Sequence, residues 1–377
     1  MKGKQGMVCM GLLLVLSSCH TGKQITASGL QRKDFQTEVN GQHTDLFTLS
    51  NKQGMEVCIT NYGARVVSIL VPDRNGKRED VVCGFSTITE YMEQRQNFGS
   101  TVGRYIGRIL NARFTLDGVE YKLVPNNGKS GHISHGGNPG FADRIWKVEQ
   151  ADTHRVRLSY LSPDGENGFP GNLKVTLVYS LGEDDNALDL TYEATTDAPT
   201  VLNLSHHSFF NISGNFTKSV EDQQLWVDAD RFTPYDDKKC VTGEYLQVAG
   251  TPLDFRMPHA IGECIDADHP QLKVVNGYDH TWELNTKGDD TRPAAWVYDP
   301  ASGRKMEIFT TEPGMQIYTG NGLKGKMTGK GGIAYPFRSA VCFETMHFQD
   351  SPNQPEFPST VLRPGEVFHS HTVYKFE

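Results

Sequence analysis

The chain has 377 residues, with 37 Lys+Arg against 45 Asp+Glu, a formal net charge of −8, 37% hydrophobic and 22% charged residues. That balance belongs to a folded protein, and it carries no basic excess of the kind nucleic-acid binders show. Thirty-eight Gly and 18 Pro favour many turns, and the composition excludes a collagen, a coiled coil and a multi-span membrane protein.

The chain opens with Lys2 and Lys4 ahead of an apolar run over residues 7–16. This is the pattern of a secretory signal, too short for a stable membrane span. It ends in Leu16-Ser17-Ser18-Cys19, which resembles a bacterial lipoprotein box. In such a box the signal is cut before the Cys, whose thiol and new amino terminus are acylated. The expected organisation is a signal over 1–18, a lipid-anchored polar tether over 19–40 and one folded domain over 41–377. It places the protein in a bacterial cell envelope, held to a membrane by lipid and facing the periplasm or the surface, with a monomer favoured.

The body of the chain reads as strands. Leu173, Val175, Leu177, Tyr179 and Leu181 alternate with Lys174, Thr176, Val178 and Ser180. After the turn Gly182-Glu183-Asp184-Asp185-Asn186, Leu188, Leu190, Tyr192 and Ala194 alternate with Asp189, Thr191 and Glu193. Period two on both sides of a turn predicts a β-hairpin. Similar segments recur at 55–61, 64–71, 155–161, 305–311 and 367–376, and only 87–95 predicts a helix. No linker or internal repeat divides the chain after residue 40. The fold class is therefore all-β, a large antiparallel sandwich or barrel.

Once Cys9 leaves with the signal and Cys19 carries lipid, Cys58, Cys83, Cys240, Cys264 and Cys342 remain. An odd count without a C-x-x-C spacing suggests neither a disulfide framework nor a zinc cluster, though one disulfide stays open. Cys58, Cys83 and Cys342 sit among apolar residues and read as small core residues.

Five runs combine His, Arg, carboxylates and Gly in a way plain connecting loops do not. They are Gly103-Arg104-Tyr105-Ile106-Gly107-Arg108-Ile109, His132-Ile133-Ser134-His135-Gly136-Gly137, Asn203-Leu204-Ser205-His206-His207-Ser208-Phe209-Phe210-Asn211, Asn276-Gly277-Tyr278-Asp279-His280 and Phe343-Glu344-Thr345-Met346-His347-Phe348. The glycines of the first run do not lie between a strand and a helix, so a dinucleotide site fails on context. Its two Arg can offer forked donors to hydroxyls or a carboxylate. The His spacings place no metal-ligand cluster near a carboxylate, apart from His369-x-His371 on one face of the last strand, so no metal and no cofactor are expected.

In order, and together with Phe232-Thr233-Pro234, Gly250-Thr251-Pro252-Leu253-Asp254-Phe255-Arg256 and the stretch Glu312-Pro313-Gly314-Met315-Gln316-Ile317-Tyr318-Thr319-Gly320-Asn321, these runs resemble the aldose 1-epimerase (galactose mutarotase) family. The similarity runs from about residue 45 to the end of the chain. It implies a single β-supersandwich with one open sugar cleft. The family's catalytic base falls on Glu344 and its catalytic acid on His207, while Arg108, His135 and Asp279 fall on positions that hold the sugar. Two neighbours depart from the family pattern: His206 and Gly107 each stand where Asn is usual, which bears on substrate preference and local hydrogen bonding.

The implied reaction interconverts the α and β anomers of an aldohexose such as glucose or galactose. A base takes the C1 hydroxyl proton, an acid protonates the ring oxygen, the aldehyde rotates, and the ring closes on its other face. An ionised Glu344 and a protonated His207 of near-neutral poise can exchange roles in the two directions, and Phe209 or Tyr278 can cover a sugar face or serve as core. Two rivals stand beside this. A glycoside hydrolase would work through Asp279 and Glu344 as paired carboxyls. A non-catalytic sugar-binding lipoprotein would keep Arg108 and Asp279 but tolerate loss of Glu344 and His207. The partner in each case is a small sugar.

Overall fold

The structure is a computed structural model and describes residues 24–377. The signal and Cys19 lie outside the described residues. The predicted hairpin is present with an unbroken antiparallel register, from Leu173↔Thr196 to Leu181↔Leu188. Every other strand expected above is also found, as Glu56–Thr60, Arg65–Pro72, Arg155–Ser162, Lys305–Thr310 and Phe368–Phe376.

The hairpin belongs to a nine-stranded sheet running from Lys147–Ala151 to His259–Ala260, with Phe368–Phe376 between Ala187–Thr196 and Lys305–Thr310. A six-stranded sheet carries Phe209–Phe210, Val341–Met346, Gly314–Tyr318, Asp279–Glu283, Arg231–Thr233 and Leu246–Gln247 in that order, and a four-stranded sheet holds Leu46–Ser50 to Arg78–Asp80. One contiguous core joins all three: Leu177 and Leu190 from the first, Trp282, Ile317 and Phe343 from the second, and Val66 and Ile69 from the third. Such a core is what period-two strands produce when one face is apolar, since a one-residue slip would turn every side chain to the wrong side.

The predicted helix spans Ile88–Gln94. It starts where Thr87 and Glu90 cap each other: the Glu90 N–H donates to Thr87 Oγ1 at 3.2 Å, and the Thr87 N–H donates to the Glu90 carboxylate at 2.9 Å. A second helix, Pro270–Val275, was not foreseen. Six residues are too few to display a 3.6-residue stripe, and its signal is local: Pro in the first turn after His269, whose ring accepts the Gln271 N–H.

The expected tether is corrected from residue 24 onward. Leu30 and Phe35 are buried in an apolar cluster with Leu46 and Phe209, and Arg32 makes a forked contact with Asp45. The Ala27 N–H donates to Glu56 at 2.7 Å. Burial of two large apolar side chains, about 1.5–3 kcal/mol each, outweighs the polar composition that suggested a free segment.

Candidate active site

The six-stranded sheet builds one polar floor by alternation. Glu344 lies opposite Gln316 and Thr281 is likewise opposite Gln316, while Asp279 lies opposite Tyr318. Residues paired across strands point to the same face. Glu344, Gln316, Tyr318, Asp279 and Met346 therefore line a cleft of about 260 Å³, while the intervening Phe343, Ile317 and Trp282 enter the core.

The walls come from shorter elements. Ser205–His207 pairs with Ser100–Val102, and Ile133–Ser134 pairs with Arg108–Ile109. These bring His207, His135 and Arg108 to the floor residues, so all five sequence-predicted catalytic and sugar-holding positions line one cleft. The turn carrying His135 needs its glycine. A Cβ on Gly136 would sit 2.0 Å from the Gly103 carbonyl oxygen, so only a bare backbone lets the two loops approach this closely.

His207 Nε2 lies 3.4 Å from Glu344 Oε1. Its other nitrogen faces Cys342 Sγ at 3.6 Å, and its ring stacks on Phe209 at 5.0 Å and meets the edge of His135 at 5.4 Å. Both partners are buried, and the charges move accordingly. Burial first, and then Asp279, pushes the Glu344 carboxyl well above its usual range, and burial with His135 nearby pushes His207 well below 6.5. Each group is thus driven toward its neutral form, contrary to the ionised Glu and protonated His expected from sequence. Burial, then Arg108, holds His135 at about 4, and its buried Nδ1 has no protein partner. Burial also raises the Asp279 carboxyl, which accepts from Gln316 Nε2 at 2.7 Å.

Other residues singled out from sequence have structural roles. Arg104 is 2% exposed and donates to Ser162, to the carbonyls of Pro163, Pro170 and Gly171, and to Thr200, so it binds loops and no sugar. His206 points away from the cleft, bonded to Ser208 Oγ at 2.7 Å and facing Tyr179 at 3.4 Å. Its departure from Asn therefore alters core hydrogen bonding. Tyr278 is core, its hydroxyl donating to the Pro252 carbonyl, whereas Phe209 lines the cleft. His132 accepts the Asn111 N–H and faces Cys240 Sγ at 3.2 Å. His280 contacts Gln271, and His347 pairs with buried Glu312 at 2.7 Å.

The five described cysteines are free, and Cys58, Cys83 and Cys342 are buried as expected. The expectation of no ligand cluster needs correction. Among the described residues, ligand atoms of His207, Cys342 and Glu344 lie within 4.8 Å of one another. Sequence spacing could not reveal this, because His207 and the other two come from different sheets. The imidazole, however, turns one nitrogen toward Glu344 and the other toward Cys342, an arrangement suited to passing protons rather than to converging on one ion. Sequence reasoning also missed Gln96, Asn97, Gln316, Tyr318 and Gln349 as lining residues. Gln316 and Tyr318 were readable from strand alternation once Glu344 and Asp279 were assigned.

The family model for aldose 1-epimerase matches residues 45–375. The chain is 40% identical to the galactose mutarotase of Bos taurus, over 88% of this chain and 93% of that protein. It is 36% identical to the aldose 1-epimerase of Escherichia coli K12, over 89% and 96%. Its fold is similar to a solved aldose epimerase homologue from C. elegans, with a TM-score of 0.81 and 31% identity over 89% of this chain and 99% of that one. The match spans nearly all of the folded chain and includes every strand that lines the cleft. The chain therefore belongs to the aldose 1-epimerase family and is an isomerase that interconverts the α and β anomers of an aldose.

Proposed function

We propose that Glu344 is the base and His207 the acid of this interconversion, and that Arg108, His135 and Asp279 hold an aldohexose such as glucose or galactose. The Glu344 carboxylate takes the C1 hydroxyl proton while His207 Nε2–H protonates the ring oxygen, and the bond between C1 and that oxygen breaks. Rotation about C1–C2 presents the other face of the aldehyde. The ring hydroxyl then returns its proton to His207 as it attacks C1, and Glu344 protonates the new C1 oxygen. No proton is gained or lost over the cycle, and no step calls on a metal or cofactor.

The observation that carries this reading is the 3.4 Å approach of His207 Nε2 to Glu344 Oε1 at the floor of the cleft. One shared proton serves both ends of the pair. Ionised Glu with protonated His is competent for ring opening, and neutral Glu with neutral His is the state that opening leaves behind. Arg108 offers fixed donors, His135 lines the cleft beside it, and Asp279 accepts from hydroxyls. A hydrolase would set a second carboxyl against Glu344 across the scissile bond; here Glu344 is in direct contact with the imidazole of His207. Polarimetry of freshly dissolved α-D-glucose, α-D-galactose and an aldopentose tests the reading. Catalysed mutarotation of a hexose, abolished by Glu344→Gln, is expected; a fully active Glu344→Gln protein sinks the base assignment.

For location, the proposal is a lipid anchor on Cys19 in a bacterial cell envelope, supported by the basic start, the apolar run and Leu16-Ser17-Ser18-Cys19. With the chain docked from residue 24, such an anchor holds the domain close to the membrane. Cys19→Ser is expected to leave mutarotation intact and release the protein from membranes; retention after a salt wash would count against the anchor.

A further inference from the structure

Gly107 and Gln349 both line the cleft, and each depends on the other. Gly107 has φ +75°, and a Cβ built there would lie 2.5 Å from Gln349 Cγ and 3.1 Å from its Cδ. A side chain at 107 and the present side chain at 349 cannot share the space. Glycine at 107, the position that departs from the family's usual Asn, is what admits Gln349 to the wall of the site.

Once admitted, the amide is held in one orientation. Gln349 is 4% exposed. Its Oε1 accepts the Arg108 backbone N–H at 3.3 Å, and its Nε2 donates to Tyr235 Oη at 2.6 Å and to Gln316 Oε1 at 3.3 Å. A backbone N–H can only donate, so the atom facing it must be the oxygen, which settles the side-chain flip. Gln316 in turn donates from Nε2 to Asp279 at 2.7 Å, and Thr281 Oγ1 donates to its Oε1. A continuous hydrogen-bonded chain therefore links the backbone of Arg108 through Gln349 and Gln316 to the carboxylate of Asp279. Gln349 lines the cleft, both its Nε2 hydrogens are engaged, and Oε1, with two lone pairs, has accepted one bond and keeps the capacity for a second.

We infer that Gln349 is a specificity-determining residue of this enzyme. It accepts a hydrogen bond from a hydroxyl of the bound aldose and fixes Arg108 and Asp279 relative to each other, supplying from the turn after Val341–Met346 the carboxamide that position 107 lacks. This rests on the reading that Arg108 and Asp279 hold the sugar. The role differs from that of Glu344 and His207: Gln349 exchanges no proton with the substrate, so its contribution falls on binding and on the choice among sugars.

The test is a kinetic panel by polarimetry on α-D-glucose, α-D-galactose and an aldopentose. The variants are Gln349→Met, which keeps the volume and removes the amide, Gly107→Asn, and the double variant Gly107→Asn/Gln349→Ala. Asn is the non-glycine residue that best tolerates a left-handed φ, so the double variant returns an amide to the same space from the other side. Thermal melts establish that each protein is folded. Gln349→Met is expected to raise KM about 3–10-fold, the worth of one net hydrogen bond, with kcat within about threefold and with a changed ratio of kcat/KM among the three sugars. Gly107→Asn alone is expected to lose more than Gln349→Met, through the clash, and the double variant to recover KM to within about threefold of the parent for at least one sugar. Parental KM and sugar ratios in folded Gln349→Met would overturn the inference. So would a double variant no better than Gly107→Asn, which remains informative if Gln349→Met fails to fold. Asp279→Asn and Glu344→Gln run alongside: parental kinetics in both would show that the underlying site reading has failed, whereas impairment there with a parental Gln349→Met removes only the role of Gln349.

Discussion

Replacing Glu344 by Gln keeps a planar group of the same size at the floor of the cleft and removes the carboxylate proposed to take the C1 hydroxyl proton. Positioned acid–base groups contribute about 10²–10⁴-fold each, so kcat should fall by that factor, roughly 3–5 kcal/mol in activation free energy. His207→Gln should cost a similar amount. Because the two side chains meet at 3.4 Å and share one proton, they act as a unit, and the double variant should be about as slow as the slower single one rather than the product of both losses. The pH profile carries a sharper sign. Activity requires a single proton on the pair. A second proton enters as pH falls, and burial places His207 well below 6.5, so the acid limb should lie below 6.5. The last proton leaves as pH rises, and burial with Asp279 places Glu344 well above 4.5, so His207 titration should set the acid limb and Glu344 titration the basic one, the reverse of their ordinary order. The limbs belong to the coupled pair. Initial rates on fresh α-D-glucose, corrected for spontaneous mutarotation at each pH, measure both limbs. An acid limb at or above 6.5, or losses that multiply in the double variant, would refute the shared-proton account.

Acid should also destabilise the fold. Burial holds His206 and His280 at about 3, so below 6.5 the unfolded chain binds more protons than the native one, and stability falls as pH drops. Between about pH 7.5 and 5.5 the two should lose roughly 3 kcal/mol together, read by urea unfolding; flat stability over that interval would contradict their neutral burial. Arg104→Lys should destabilise by ~3 kcal/mol, because a single ammonium cannot satisfy the carbonyls and hydroxyls the guanidinium now serves. A loss below ~1 kcal/mol would mean that Lys reaches the same partners. Asp279→Asn should raise KM and lower kcat together, since a tilted ring also misplaces C1 and its ring oxygen. Unchanged constants in steady-state polarimetry would reduce Asp279 to a structural carboxylate.

The strands were legible because their physical cause is local. The hairpin over 173–196 alternates apolar and polar residues apart from Val178, and its register follows once one face is committed to the core. The helix at 88–94 lies within the stretch 87–95 that the sequence predicted, and its Thr87–Glu90 cap is a local cause, while the six residues of 270–275 carry only a Pro in the first turn. Phe35 shows the opposite failure. Two apolar residues in a polar stretch do not announce burial, and only the cluster they enter explains why the segment docks. At the site, ordered motifs named the five residues that the fold brings into one cleft, but the Gly107–Gln349 fit and the approach of Cys342 to His207 arise between segments more than 100 residues apart, where no spacing rule reaches.

The protonation state of the Glu344–His207 pair was the least legible feature, and it matters most for the chemistry. From residue types alone, an ionised Glu and a protonated His are the natural guess, because each is charged near its ordinary pKa. Folding removes both from water, and desolvation then penalises the two charges together. The proton count does not change: an ion pair and a neutral pair hold the same single proton, at opposite ends of a 3.4 Å contact. What changes is which end is preferred. In the proposed step ring opening converts the ion pair into the neutral pair, so a cleft that penalises the two charges raises the state before opening relative to the state after it. The burial that shifts both groups thus favours the open-chain side of the step, relative to the same two residues in water. On the same argument, substrate hydroxyls that solvate Glu344 on binding restore the ion pair from which opening starts. On the proposed mechanism both directions of the reaction then use the same two placements of one proton, which suits an enzyme whose forward and reverse chemistry are the same.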